Sequence, residues 1–322
     1  MANLNNPLCA TSYGNTGFGE CFLEPAEIKG AIQVTAGFEI AEADLEDLQT
    51  FLETKVHAAI GTRIFPYHGF INITDNTEDV SITTTDYGAK YVTRDGFYDM
   101  TFRYLKGGVQ LHQEISKNGG SGKYFLFYDK NGVLYGYLSG GKLKGIPIDI
   151  FYVNPWRFAT GADVPQYLLR FIIDPVYLNK GNLGFVKVSE LETSFNLFDV
   201  TGLQDLKLTI LETNVNVATV KVESKISNVN LYDAYSTNLA QTAAWKAFNP
   251  DDTASSVTNV ATNASLEAFD VTVDPDDFEA AFDGELMKIQ LNAPSILKAA
   301  PILVSGFEDK DGVDMTVASE SS

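Results

Sequence analysis

The chain has 322 residues, enough for two domains with separate cores, and its 45% hydrophobic content is that of a globular protein. Its 42 acids outweigh 23 bases, a net charge of -19, and no run of Lys and Arg interrupts the excess. Nucleic-acid phosphates repel such a chain, which argues against sequence-specific DNA or RNA binding. No apolar run approaches the roughly 20 residues of a membrane span.

Residues 1–24, MANLNNPLCATSYGNTGFGECFLE, are rich in Asn and Gly with scattered apolar residues and read as an extended arm. Leu8, Tyr13, Phe18 and Phe22 are its anchors and the candidates for contact with another subunit. Residues 1–20 lack the basic and apolar regions of a secretory signal, so the expectation is synthesis in a cytoplasm. Cys9 and Cys21 can form one bridge, but two free thiols in a reducing compartment is the favoured reading. IKGAIQVTAGF (28–38) predicts a strand. Glu42 to Val56 predicts a helix, with Leu45, Leu48, Phe51, Leu52 and Val56 at helical spacing and acids in the first turn.

From Phe70 the period changes to two. FINIT, DVSITTT and GFYDMTFRYL predict strands, the last after a corner at Arg94-Asp95-Gly96. VQLHQEISK predicts a short helix stopped by Asn118-Gly119-Gly120. YFLFYDKNGVLYGYL (124–138) predicts a hairpin, because Asn131-Gly132 tolerates the positive φ of a tight turn. Alternation puts Phe125, Phe127, Val133, Tyr135 and Tyr137 on one face and Tyr124, Leu126, Tyr128, Leu134 and Leu138 on the other. Both faces are apolar, so both need cover, from the same domain or from a neighbouring subunit. The subunit reading makes Phe127, Tyr128, Tyr135 and Tyr137 candidate interface residues. GIPIDIFYVNP and QYLLRFIIDP predict two further strands; 176–198 is transitional.

A second β-rich domain is expected over 199–322, after a first over 25–198. LKLTILETNVNVATVKVESKISNVNLY predicts two or three strands, NLAQTAAWKAF (238–248) a helix capped by Asn238, and 249–265 an exposed loop. AFDVTVDP and ELMKIQLNAP return to strands, and the end is a polar tail. PAEIKGAIQVTAGFE (25–39) and PSILKAAPILVSGFE (294–308) align without gaps. The echo is either chance or the sign of two related modules, each ending a strand at Gly-Phe-Glu.

Chemistry-bearing motifs are sparse. His57, His68 and His112 share no nucleophile or metal motif. Acids in DPDDFE (274–279) and EDKDGVD (308–314) make Asp274, Asp276, Asp309 and Asp311 the candidates for a cation. The spacing is against them: with Asp309 first, Gly312 falls fourth, where an EF-hand needs glycine sixth. The expectation is therefore no metal and no cofactor, with Asp311-Gly312 a tight turn and Asp274-Pro275-Asp276 a helix start. Trp156 and Trp245 could line a sugar or base platform, though packing in cores or interfaces is the plainer reading.

One resemblance adds a context. DGFYDMTFRYLKGGVQLHQEI, the YFLFYDKNGVLYGYL hairpin, LKGIPIDIFYVNP and QYLLRFIIDPVYLN follow in that order between Asp95 and Asn179. The succession resembles virion structural proteins of tailed bacteriophages, in particular of phages of Bacteroidetes hosts, and is similar to tail-tube proteins. The resemblance implies a mainly β fold, a β-sandwich or partial barrel with a few short helices. It also implies a non-enzymatic homo-oligomer that joins through sheet edges, sits in the virion with other virion proteins, and is made in the host cytoplasm. The alternatives are a capsid decoration or head-to-tail connector protein, or a carbohydrate- or cation-binding β-sandwich of a receptor-binding apparatus. The long arm and the C-terminal region depart from a minimal tube subunit.

Overall fold

The computed structural model describes residue 4 and residues 25–104, 108–160, 165–179, 182–274 and 286–316. Leu8, Tyr13, Phe18, Phe22, both cysteines and Asp276 lie outside the described residues. Among the described residues the chain is mainly β, with 23 strands and five short α-helices. It divides into two compact units, 1–56 with 60–201 and 57–59 with 202–322.

The first unit is built on two antiparallel sheets. One runs in the order Glu39–Ile40, Lys142–Lys144, Val133–Ser139, Lys123–Asp129, Ile28–Val34, Phe65–His68, with Ile146–Ile148 and Leu183–Lys187 paired onto its two central strands. The other runs Ile150–Val153, Tyr167–Ile173, Tyr98–Tyr104, Phe70–Asp75. Strand side chains alternate, so each sheet offers one face to a shared core. Phe125, Phe127, Tyr135 and Phe185 come from the first sheet, and Phe70, Phe102, Phe151 and Phe171 from the second. Phe125 meets Phe171 edge-on with centroids 4.9 Å apart, and Phe70 stacks on Phe102 at 4.8 Å. Offset and edge-on contacts are the geometries that aromatic quadrupoles favour.

The first sheet is covered on its other face too: Ile32, Leu126, Tyr128 and Leu134 are fully buried outside that core cluster. Gly136 and Gly184 face one another across two strands there. A Cβ at either would stand 2.8 Å from Leu143 Cδ1, so this glycine pair makes room for a leucine.

The second unit also has two sheets. One orders Val257–Asn263, Ala268–Val273, Val217–Ser224, Gln204–Asn214 and Phe307–Glu308; the other orders Ala254–Ser255, Trp245–Phe248, Leu286–Leu291 and Val313–Thr316. Val220, Val222, Phe269 and Val271 of the first share a core with Trp245, Met287, Ile289 and Met315 of the second. Trp245 is buried, and its indole N–H donates to the Leu239 carbonyl at 2.7 Å, so it is core and not a sugar platform.

Several expected elements change. The helix expected over 42–56 is a 3-10 turn, Glu42–Leu45, followed by an α-helix, Leu48–Val56. Two aspartates break it: Asp44 accepts from the Ala41 N–H at 2.7 Å and Asp47 from the Thr50 N–H at 3.2 Å, each starting its own turn. GIPIDIFYVNP is not one strand but two, Ile146–Ile148 and Ile150–Val153, in different sheets. The stretch 176–198 holds the strand Leu183–Lys187. The helix expected over 238–248 lies earlier, at Tyr232–Leu239, and Trp245–Phe248 is a strand. Asn238 donates to the Ile302 carbonyl at 2.8 Å instead of capping. The loop expected over 249–265 contains the Thr- and Asn-rich edge strand Val257–Asn263. The internal echo is not a repeat of one strand: Ile28–Val34 is a strand, whereas the aligned 297–303 is the end of the helix Pro294–Lys298 and a turn.

Candidate functional site

The aromatic hairpin forms as expected, Lys123–Asp129 against Val133–Ser139, but it is central in its sheet. Both of its outer edges are taken, by Ile28–Val34 on one side and by Lys142–Lys144 and Leu183–Lys187 on the other. Phe127, Tyr128 and Tyr135 are at most 5% exposed, and Tyr137 is half-buried edge-on against Tyr177. Intrachain packing consumes the surface of Phe127, Tyr128 and Tyr135, which corrects the expectation that these three meet another subunit, while Tyr137 keeps part of its surface. Sequence alternation showed that both faces need cover without saying whose.

Asp129 pins the turn. It is fully buried, and its Oδ1 accepts from the N–H groups of Asn131 at 2.9 Å and Val133 at 3.0 Å. Its Oδ2 accepts from the Tyr135 hydroxyl at 2.6 Å and the Ala26 N–H at 3.2 Å. Burial, then the carboxylate itself, push the Tyr135 hydroxyl above its ordinary range. Asp309 repeats the device in the second unit, in Asp-Lys-Asp-Gly-Val against Asp-Lys-Asn-Gly-Val. Its carboxylate accepts from the N–H groups of Gly312 at 3.0 Å, Asp311 at 3.3 Å and Leu291 at 3.3 Å. Asp311 instead bridges to Lys225 at 2.7 Å. Two of the four cation candidates thus have protein partners that fix their geometry. Among the described residues no group of three or more His, Cys, Asp or Glu is arranged to hold a metal.

The histidines are tied into the scaffold. His68 Nε2 lies 2.7 Å from the Val200 carbonyl and Nδ1 bonds the Tyr128 hydroxyl. A carbonyl only accepts, so Nε2 carries the proton and Nδ1 accepts from tyrosine. His112 repeats the pattern, Nε2 to the Asn154 carbonyl and Nδ1 to the Tyr104 hydroxyl, both at 2.7 Å. His57 Nε2 lies 3.1 Å from Ser305 Oγ in the second unit. Burial holds the His68 imidazolium form down, below the ordinary histidine value.

The exposed feature of the first unit is a different hairpin. Phe70–Asp75 and Tyr98–Tyr104 pair within the second sheet, and the pairing continues past its edge. Asn76 N–H bonds the Asp99 carbonyl at 2.8 Å, Glu78 N–H bonds the Phe97 carbonyl at 3.1 Å, and Ser81–Thr84 then pairs with Lys90–Arg94. This distal ribbon belongs to no larger sheet. Its turn closes with Gly88 N–H on Thr85 O and Thr85 N–H on Ala89 O, both at 2.8 Å; Gly88 has φ 77, a conformation that favours glycine. Every residue of both ribbon strands is exposed, including Ile82, Tyr91 and Val92, and Tyr87 at the tip is 99% exposed.

Comparison with protein-family models, curated proteins and solved structures finds no match. The reading of the site therefore rests on geometry. At the root of the ribbon lies a cavity of about 330 Å³. Val80, Phe97 and Tyr98 give it apolar walls, and Glu78, Asp79, Asp95 and Asp174 line it with acid. Arg94 pairs with Glu78, and on the neighbouring sheet Arg170 Nε donates to Asp99 at 2.8 Å as one arm of a two-bond pair. Sequence reading identified DVSITTT as a strand but missed its partner Lys90–Arg94 and the isolation of the pair. Trp156 packs edge-on with exposed Phe158, centroids 4.2 Å apart. No helix among the described residues is long and apolar enough to cross a membrane.

Proposed function

We propose that this protein is a non-enzymatic structural subunit that assembles with further copies of itself, as a component of a tailed-phage particle such as the tail tube. The single observation that carries the assembly reading is the distal ribbon. A lone two-stranded hairpin is marginally stable in water and gains little by projecting alone. Here it keeps Ile82, Tyr87, Tyr91 and Val92 in solvent, while the aromatic residues behind it are committed to the core. Unprotected strand edges with apolar side chains are surfaces for another chain. The acidic net charge suits a conduit through which DNA slides without sticking. The phage context rests on the resemblance of residues 95–179, and capsid decoration or a connector role fits the same assembly chemistry. The test is particle size: purified protein viewed by negative-stain microscopy should show rings or tubes. A monomer at every concentration would remove the reading.

A further inference from the structure

We infer that His68 is a pH-operated latch: it fastens residues 197–201, the end of the first unit's chain, and releases them when its ring takes up a proton. Two bonds fix the imidazole. Nε2 donates to the Val200 carbonyl at 2.7 Å, and Nδ1 accepts from the Tyr128 hydroxyl. Three rings close on one another there: His68 lies 5.9 Å from Phe198 and 5.8 Å from Tyr128, and Tyr128 meets Phe198 edge-on at 5.3 Å. Among the described residues the other hydrogen bonds of this segment are local, within 196–201, so the His68 bond is the one that ties its backbone to the sheet.

Protonation is incompatible with this arrangement. With a proton on both ring nitrogens, Nδ1 faces a hydroxyl that had been donating to it. The hydroxyl can accept only by swinging its own proton away, and it is fully buried against Gly30, where an added Cβ would stand 2.1 Å from its oxygen. Among the described residues it has no second hydrogen-bond partner. A buried donor without a partner and a cation out of water both oppose the charged form. Burial accordingly holds the imidazolium down and pushes the Tyr128 hydroxyl above its ordinary range, so the tyrosine stays neutral. The neighbouring charges do not rescue the cation. Asp199, on the segment itself, favours it but is exposed. Asp129, beside Tyr128, spends both oxygens on Asn131, Val133, Tyr135 and Ala26. Lys29, beside Gly30 on the facing strand, pairs with Glu27 at 2.7 Å. Releasing the segment puts the imidazolium in water, so opening is coupled to the uptake of one proton.

Chymotrypsin cleavage after Phe198 reads the opening, because a protease needs the flanking residues out of the fold and Leu197 and Val200 are buried. The rate at that bond is followed by mass spectrometry at pH 7.5 and 5.5. Dividing it by the rate on a peptide of residues 192–206 cancels the protease's own pH dependence. Wild type should show a severalfold rise at pH 5.5, up to about tenfold, the limit for one group whose open value is near 6.5. His68→Gln keeps a donor for the Val200 carbonyl but cannot take up a proton, and its normalised rate should stay flat. A flat wild type overturns the latch. An equal rise in both proteins assigns the opening to another group and overturns it too. If His68→Gln loses its circular dichroism, the wild-type imidazole decides: its ¹⁵N resonances should place the proton on Nε2 and titrate below the ordinary histidine value. A proton on Nδ1, or titration at or above that value, overturns the latch. None of these measurements involves a second copy, so the outcome is independent of the assembly reading.

Discussion

Asp129 shows how much one buried carboxylate can organise. It holds two turn N–H groups, a tyrosine hydroxyl and the chain just before the first strand. Tyr135→Phe removes one charge-assisted bond and should cost roughly 1–3 kcal/mol in urea denaturation. Tyr135→Asp sets a second carboxylate beside Asp129 in the core and should unfold the first unit outright. If that variant kept the wild-type midpoint and lost only its assembly, the buried-core assignment would fail. His68 gives a pH dependence whose sign follows from its surroundings. Its folded-state pKa lies below the unfolded value near 6.5, so the unfolded chain binds the extra proton. Stability is therefore full above about pH 6.5 and falls as pH drops towards the lowered folded value. Melting temperatures between pH 7.5 and 5 should decline less steeply in His68→Gln than in wild type; parallel curves would refute the assignment.

Elements differ in how legible they were, and the reason is their environment. The hairpin at 124–138 read correctly because its turn chemistry agrees with apolar faces that are both covered, and the strand at 167–173 because its alternation agrees with one fully buried face. The split at Asp149 was invisible, since an apolar run looks the same whether it stays in one sheet or crosses to another. Val257–Asn263 read as a loop because an edge strand can be polar along most of its length. The projecting ribbon was half legible: SITT alternates, whereas KYVTR lies next to the charged corner that hid it. Its isolation makes a direct prediction. Limited trypsin digestion should cut first after Lys90 and Arg94, which are exposed on a ribbon without sheet neighbours. Replacing residues 79–95 with a short turn should leave the denaturation midpoint of the first unit nearly unchanged, because the ribbon contributes nothing to its aromatic core. A large loss of stability would show that the ribbon packs back on its own chain.

Among the described residues, a core dominated by phenylalanine and tyrosine in the first unit contrasts with one dominated by valine, leucine and isoleucine in the second. The acidic loop at 308–314 joins this scaffold through a lysine and backbone amides, so EDTA should leave the melting temperature unchanged; a drop of several degrees would restore Asp274, Asp309 and Asp311 as ligands. The amino-acid sequence determined the β-rich class, the tight turns at Asn131-Gly132 and Asp311-Gly312, and the apolar character of both hairpin faces, because each depends on neighbours within a few residues. Only the tertiary structure decided that the aromatic hairpin is central and that the ribbon at 81–94 stands alone over an acidic cavity. Those outcomes depend on which distant strands pair, and a strand's own residues carry the same alternation whether its edges end in a neighbour or in water.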